Sequence, residues 1–208
     1  MARVALTFDD GPGPATPRLL DVLAARGAHA TFFLLGKNVE RARDVAVRLA
    51  RAGHVVGNHT FSHARPGAIA GAALVDAIVR TDAHLAGVCH EAGVAPRQPI
   101  PVRLPYGPAP DDDRLAALAS IGRTHTHWTG DFGDWIEPQP DPAEVAARMR
   151  AHVEAQARAG LAAVIDLHDS SRLYADRAVT VEAVRLFLAD ATLELFTVPD
   201  YQMPGTSR

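Results

Sequence analysis

Two carboxylates adjacent in the chain, Asp9 and Asp10, and two histidines four residues apart, His59 and His63, are residue types that ligate a divalent cation or carry protons in hydrolysis. Histidines at that spacing project to the same side of one helical turn, so a single segment can offer both to one ion. Neighbouring carboxylates repel, and a tight turn needs only one of them, so a compensating cation should stand nearby. Three further segments carry similar chemistry: Arg103-Leu104-Pro105-Tyr106-Gly107, Asp131-Phe132-Gly133-Asp134-Trp135 and Leu167-His168-Asp169. Each segment alone has a plain structural explanation, such as an Asp-rich turn, a chance pair among 10 histidines, a surface arginine or a core histidine. Their shared placement does not, because each follows a run with strand character.

Those runs are Val4 to Phe8, Thr31 to Leu35, Val55-Val56, Ile100 to Arg103, Arg123 to Trp128, Ala163 to Leu167 and Leu193 to Val198. Helical periodicity alternates with them: a capped helix from Thr16-Pro17 to Gly27, one stripe over Asn38 to Arg51, a long region from about Ile69 to Glu91, a helix from about Asp112, one from Pro142 to Ala159, and one around Val181 to Leu188. Seven strands alternating with six helices predict an α/β fold with a parallel sheet, closed or nearly closed into a βα barrel, an open doubly wound sheet being the competing architecture. Short turns around Gly27, Gly53, Gly122 and Gly160 lead from helices into strands, whereas several segments leaving strands are long and polar. Chemistry is therefore expected on the rim at the C-terminal strand ends. The Gly93 to Pro99 connection lies on the other rim and has no evident role. Asp111 to Asp113 lie on the catalytic rim, as helix caps or as attraction for a cationic amine. His125 and His127 alternate on the fifth strand and are expected as wall or core residues.

In this order TFDDGP, HTFSH, RLPYG, DFGDW and LHD resemble the five motifs of the NodB-type polysaccharide deacetylases, carbohydrate esterase family 4. The resemblance runs from about Val4 to Val198 and extends to Ala30-Thr31-Phe32-Phe33 and Gly57-Asn58-His59. It implies a distorted (β/α)7 barrel forming one catalytic domain over residues 1–208. It implies one divalent cation, zinc ahead of cobalt, manganese or nickel, held by Asp10, His59 and His63 with a position left open for water and substrate. By the same resemblance Asp9 is the general base, Arg103 orients it, His168 is the general acid and Asp134 tunes that histidine. The backbone amide of Tyr106 is the oxyanion donor, and Trp135 and Leu167 wall the pocket for the acetyl methyl. The implied reaction is N-deacetylation of N-acetylglucosamine units in chitin, chito-oligosaccharide or peptidoglycan, cation-bound water attacking the acetamide carbonyl and acetate departing. No motif residue is missing.

Composition narrows the partners. The chain has 208 residues, 48% hydrophobic and 22% charged, which suits one globular core. With 21 basic and 24 acidic residues its formal charge is −3, so no global positive field exists to hold nucleic acid or an anionic membrane. The single cysteine, Cys89, excludes an intramolecular disulfide, and no apolar run reaches the roughly 18 residues of a membrane span. The substrate expected is a glycan or a small N-acetylated compound; the sequence is silent on oligomeric state. As written the chain reads as cytoplasmic, and as secreted or periplasmic if a leader has been removed. Two rivals remain: a deacylase or cyclic-amide hydrolase acting on a small cytoplasmic metabolite with the same site, and a non-catalytic glycan-binding protein with a vestigial metal site.

Overall fold

Strand β1, Ala2–Asp9, alternates in both directions: Val4, Leu6 and Phe8 join the main hydrophobic cluster, while Ala5, Thr7 and Asp9 point the other way. A strand buried on both faces belongs at the centre of a parallel sheet covered by helices. The structure, a computed structural model describing residues 1–69, 71–189 and 192–198, places it there. After β1 the chain runs through α1 (Thr16–Ala24), β2 (Thr31–Leu34), α2 (Gly36–Arg41), α3 (Arg43–Arg51), β3 (Val55–Asn58), α4 (Gly71–Ala92) and α5 (Asp113–Ser120). It continues through β4 (Gly130–Asp131), α6 (Pro142–Arg158), β5 (Ala163–His168), α7 (Ala178–Phe187) and β6 (Leu193–Leu195).

All pairings are parallel, in the order β3-β2-β1-β5-β4. The short β6 pairs with Ala2 to Val4 at the start of β1, leaving Thr7 to Asp9 at its end for β2. Closure on the far side relies on single bridges, Asn58 to Val102 and Val102 to His125, after which the chain reaches β4 beside β5. The result is a distorted (β/α)7 barrel with two weak staves. The fourth expected strand, Ile100 to Arg103, is reduced to Val102 because Pro99, Pro101 and Pro105 cannot donate to a ladder. The fifth, Arg123 to Trp128, bridges only at His125, and its ladder forms two residues beyond it, at β4.

Two helical expectations change. The stripe over Asn38 to Arg51 splits at the buried Ala42, which leaves the helical region at φ −134° and ψ 54°. No poor helix former marks that break, so periodicity alone does not locate it. Thr16 does not cap α1; its hydroxyl receives the Gly13 amide at 2.7 Å and bonds the Asp169 carboxylate. Gly27 and Gly160 do end their helices in the left-handed region, at φ 59° and 71°. The 1–208 domain assignment includes residues 199–208, outside those described.

Candidate active site and metal centre

The inward residues of β1 and β5 meet at the C-terminal rim. Asp9 and His168 are register partners, as are Thr7 and Asp166. Arg103, fully buried, reaches across the barrel to bind them: its Nη1 donates to Thr7 Oγ1 (2.7 Å), Asp9 Oδ1 (2.9 Å) and Asp166 Oδ1 (2.8 Å). Its Nε donates to the Thr126 carbonyl at 3.1 Å, and the Phe33 ring lies 4.2 Å from its Cζ. One guanidinium thus serves two buried carboxylates. Burial raises the pKa of both Asp9 and Asp166; Arg103 opposes the rise at each, and at Asp166 the charge of Asp9 adds to it.

Asp10, His59 and His63 converge so that one ligand atom from each lies within 4.8 Å of the others. His63 Nε2 is 3.3 Å and His59 Nε2 3.7 Å from Asp10 Oδ1. The Nδ1 of His59 is 2.9 Å from the Arg103 carbonyl, which sets the tautomer and turns the Nε2 lone pair toward Asp10. Burial pushes the pKa of each histidine down to about 3, so both are neutral at pH 7, the form in which imidazole binds metal. Among the described residues, Asp10 Oδ1 is buried without a hydrogen-bond partner. Burial and the charge of Asp9 push that carboxyl up to about 7 despite the opposing pull of His168. This donor set, one carboxylate oxygen with two imidazoles, fits a divalent ion.

On the other side of the site, His168 Nδ1 is 3.0 Å from Asp134 Oδ1. The second Asp134 oxygen accepts the His168 amide (2.7 Å) and the Thr180 hydroxyl (2.6 Å). Burial works against charge on His168, but Asp134, Asp166 and Asp10 together outweigh it and hold its pKa well above the usual 6.5. Tyr106 stands beside the ion site, its ring 4.6 Å from that of His63. Its backbone is left-handed, at φ 64°, and among the described residues its amide finds no acceptor. Asp10, Thr60 and His63 share that backbone region, at φ 72°, 67° and 58°, so left-handed non-glycine residues concentrate where the ligands converge.

Leu167 does not line this site. Strand alternation that turns Asp166 and His168 inward turns Leu167 outward, where it is fully buried in the main core beneath the helices. Trp135 is half exposed, its indole N–H bonded to Asp131 at 3.1 Å. The inward residue that motif reading passed over is Asp166, and the signal was there: two positions before an inward histidine on a strand. Also missed were supports. Asn58 bonds the Ile78 carbonyl (2.8 Å), Asp82 (2.7 Å) and the Thr60 amide (2.8 Å), fixing the His59 loop. Asp169 lies against Gly11, where a β-carbon would overlap its carboxyl. Asp112 caps α5, accepting the Arg114 amide at 2.9 Å and pairing with its guanidinium at 2.6 Å, which favours capping for that acid. His125 and His127 line a cavity of about 470 Å³ that opens beside Tyr106 and Trp128.

Against known proteins, residues 2–125 match the family model described as polysaccharide deacetylase. A chitooligosaccharide deacetylase of Bradyrhizobium sp. is 36% identical over 167 residues, covering 80% of this chain and 70% of that protein. A peptidoglycan-N-acetylglucosamine deacetylase of Bacillus cereus is 38% identical over 135 residues, covering 64% of this chain, which spans only 46% of that relative. Among solved structures, a peptidoglycan N-acetylglucosamine deacetylase superposes with a TM-score of 0.78 at 28% identity, over 95% of this chain and 86% of that one.

Proposed function

The chain belongs to the polysaccharide deacetylase family, the NodB-type carbohydrate esterases of family 4, and from that premise we propose that it is a hydrolase removing N-acetyl groups from N-acetylglucosamine units of a glycan. In this reading residues 1–208 form one catalytic domain. The observation that carries it is the pairing of Asp9 with His168 across the ends of β1 and β5, beside the Asp10, His59 and His63 cluster. A carboxylate and a protonated imidazole facing one reacting centre are what amide hydrolysis requires, a proton taken from water and one given to the amine.

Asp10, His59 and His63 would hold the cation, and oxygen with imidazole donors favours zinc. When bound, it supplies Lewis acidity, polarising the acetamide carbonyl and lowering the pKa of water from 15.7 toward about 7. Asp9 takes the proton of the attacking water; Arg103 fixes which oxygen faces Arg and which faces the site, at 2.9 Å. The Tyr106 N–H, which has no acceptor among the described residues, donates to the oxygen on which charge develops. His168 delivers its proton to the departing nitrogen, with Asp134 holding the ring and stabilising its charge. Trp135 forms the exposed wall beside Asp134. The presence of both acid and base weighs against a vestigial site that only binds.

Acetate release, measured with zinc, with chelator and after zinc is restored, across chito-oligosaccharides, peptidoglycan and small N-acetyl compounds, tests the proposal. Zinc-dependent release from the glycans is expected. Release confined to the small compounds, or from nothing in the zinc-loaded protein, would refute it.

A further inference from the structure

The rim next to Asp10 carries three cations to which the deacetylation steps give no task. Lys37 and Arg41 lie four apart on α2 and share a face, and Arg172 lies in the loop after β5. The two elements are locked together: Lys37 Nζ donates to the Arg172 carbonyl at 2.5 Å, and the Asn38 amide donates to the carbonyls of Asp10 (2.6 Å) and Ser171 (3.3 Å). Arg41 is pinned over the Tyr174 ring, its Cζ 3.7 Å from the ring centre. Nearby arginines are neutralised, Arg18 by Asp176 and Arg177 by Glu137 at 2.6 Å. Among the described residues neither Lys37, Arg41 nor Arg172 pairs with a carboxylate.

Holding like charges together without a counter-ion costs free energy. The cost registers at Lys37, whose pKa is lowered by burial and by Arg172 even though Asp10 pulls it up. The carboxylate that acts on Lys37 is Asp10, whose charge a cation held with His59 and His63 would take up. A ligand anion would offset the repulsion, and arginine forks match a planar carboxylate in two-pronged geometry.

We propose that Lys37, Arg41 and Arg172 form a subsite for a carboxylate carried by the glycan close to the acetamide, so that the preferred substrate is an acidic amino-sugar glycan rather than neutral chitin. The inference rests on the deacetylase reading above for what occupies the centre.

The test compares chitotetraose with carboxymethylated chitotetraose. Binding is measured by calorimetry on the zinc-loaded Asp9→Asn variant, at about 20 and about 200 mM salt, and kcat/KM on the zinc-loaded wild type. The acidic glycan should bind about tenfold more tightly at low salt, and the gap should shrink at high salt. Arg41→Ala and Arg172→Ala should each remove most of that ratio and Arg172→Lys only part of it; both arginines are exposed, so truncation leaves the core intact. Equal binding of the two glycans, or a preference unchanged in both alanine variants, would overturn the proposal. Acetate release from neither glycan with the binding preference intact would refute the deacetylase reading alone. Equal release and equal binding would refute the subsite alone.

Discussion

Replacing Asp134 with Asn isolates what a buried carboxylate does for His168. Three donors converge on Asp134: the His168 ring at 3.0 Å, the His168 amide at 2.7 Å and the Thr180 hydroxyl at 2.6 Å. A carboxylate accepts all three, whereas an amide of the same size must turn an NH2 toward one of them. The arrangement that keeps the amide and Thr180 bonds points that NH2 at His168 Nδ1, which must then be unprotonated. Imidazolium, protonated on both nitrogens, is disfavoured. A hydrogen bond to a charged group contributes about 1.5–3 kcal/mol, and each pKa unit corresponds to about 1.4 kcal/mol, so the His168 pKa should fall by about one to two units. Burial, which already opposes the charge, then has less against it. An acid is active below its pKa, so the raised value in the wild type puts the descending limb of kcat/KM at alkaline pH, and in Asp134→Asn that limb should move toward neutrality. At a pH above both limbs, activity should drop about 10- to 100-fold, and midway between them about 3- to 10-fold. Rate profiles from acid to alkaline pH, with the His168 ring followed by NMR, measure both shifts. An unmoved limb together with an unmoved ring titration would refute this account of the pair.

Arg103→Met should leave Asp9 and Asp166 buried without their cation and cost about 3–5 kcal/mol, read as a loss of denaturant stability at pH 7; a change within error would mean the carboxylates are not ionised together. His59→Ala or His63→Ala should abolish stoichiometric zinc binding, and unchanged metal content would remove these ligands. Because Asp10 sits at about 7 and the two histidines at about 3 in the metal-free protein, the carboxyl is the ligand still protonated at pH 6. Zinc uptake there should release about one proton and near pH 9 almost none from this ligand, measured by calorimetry in buffers of different ionisation enthalpy. Gly11→Ala should force its new methyl into the Asp169 carboxyl, costing about 1–3 kcal/mol and weakening zinc binding through the adjacent Asp10; full zinc affinity would show that the loop yields freely.

The rim loops vary in how firmly they are held. The His59 loop is tied by Asn58 on three bonds, and the Tyr106 loop by Arg114, whose guanidinium reaches the carbonyls of Pro105 (2.9 Å) and Gly107 (3.0 Å). Such buried polar anchors keep left-handed residues in place against their conformational cost. Trp135, half exposed, has among the described residues only Asp131 on its indole nitrogen.

Local pattern determined a good deal by itself. Alternating strand and helix periods, with glycines ending α1 and α6, were enough for a parallel sheet with chemistry on one rim. The order of Asp9-Asp10, His59, His63, Arg103, Asp134 and His168 pointed to the residues that the barrel gathers there. Tertiary structure decided the rest. A proline-rich segment had to be seen beside β3 before its stave shrank to Val102, and Ala42 breaks a helix that its own neighbours would continue. Leu167 and Asp166 exchanged places because a strand presents alternate residues to opposite faces, and only the barrel says which face holds the site. Arg103 meets Asp9 and Asp166 from 94 and 63 positions away, and Lys37 meets Arg172 across 135. Periodicity reports what a segment does with its own neighbours; which charges share a counter-ion follows from how the sheet closes.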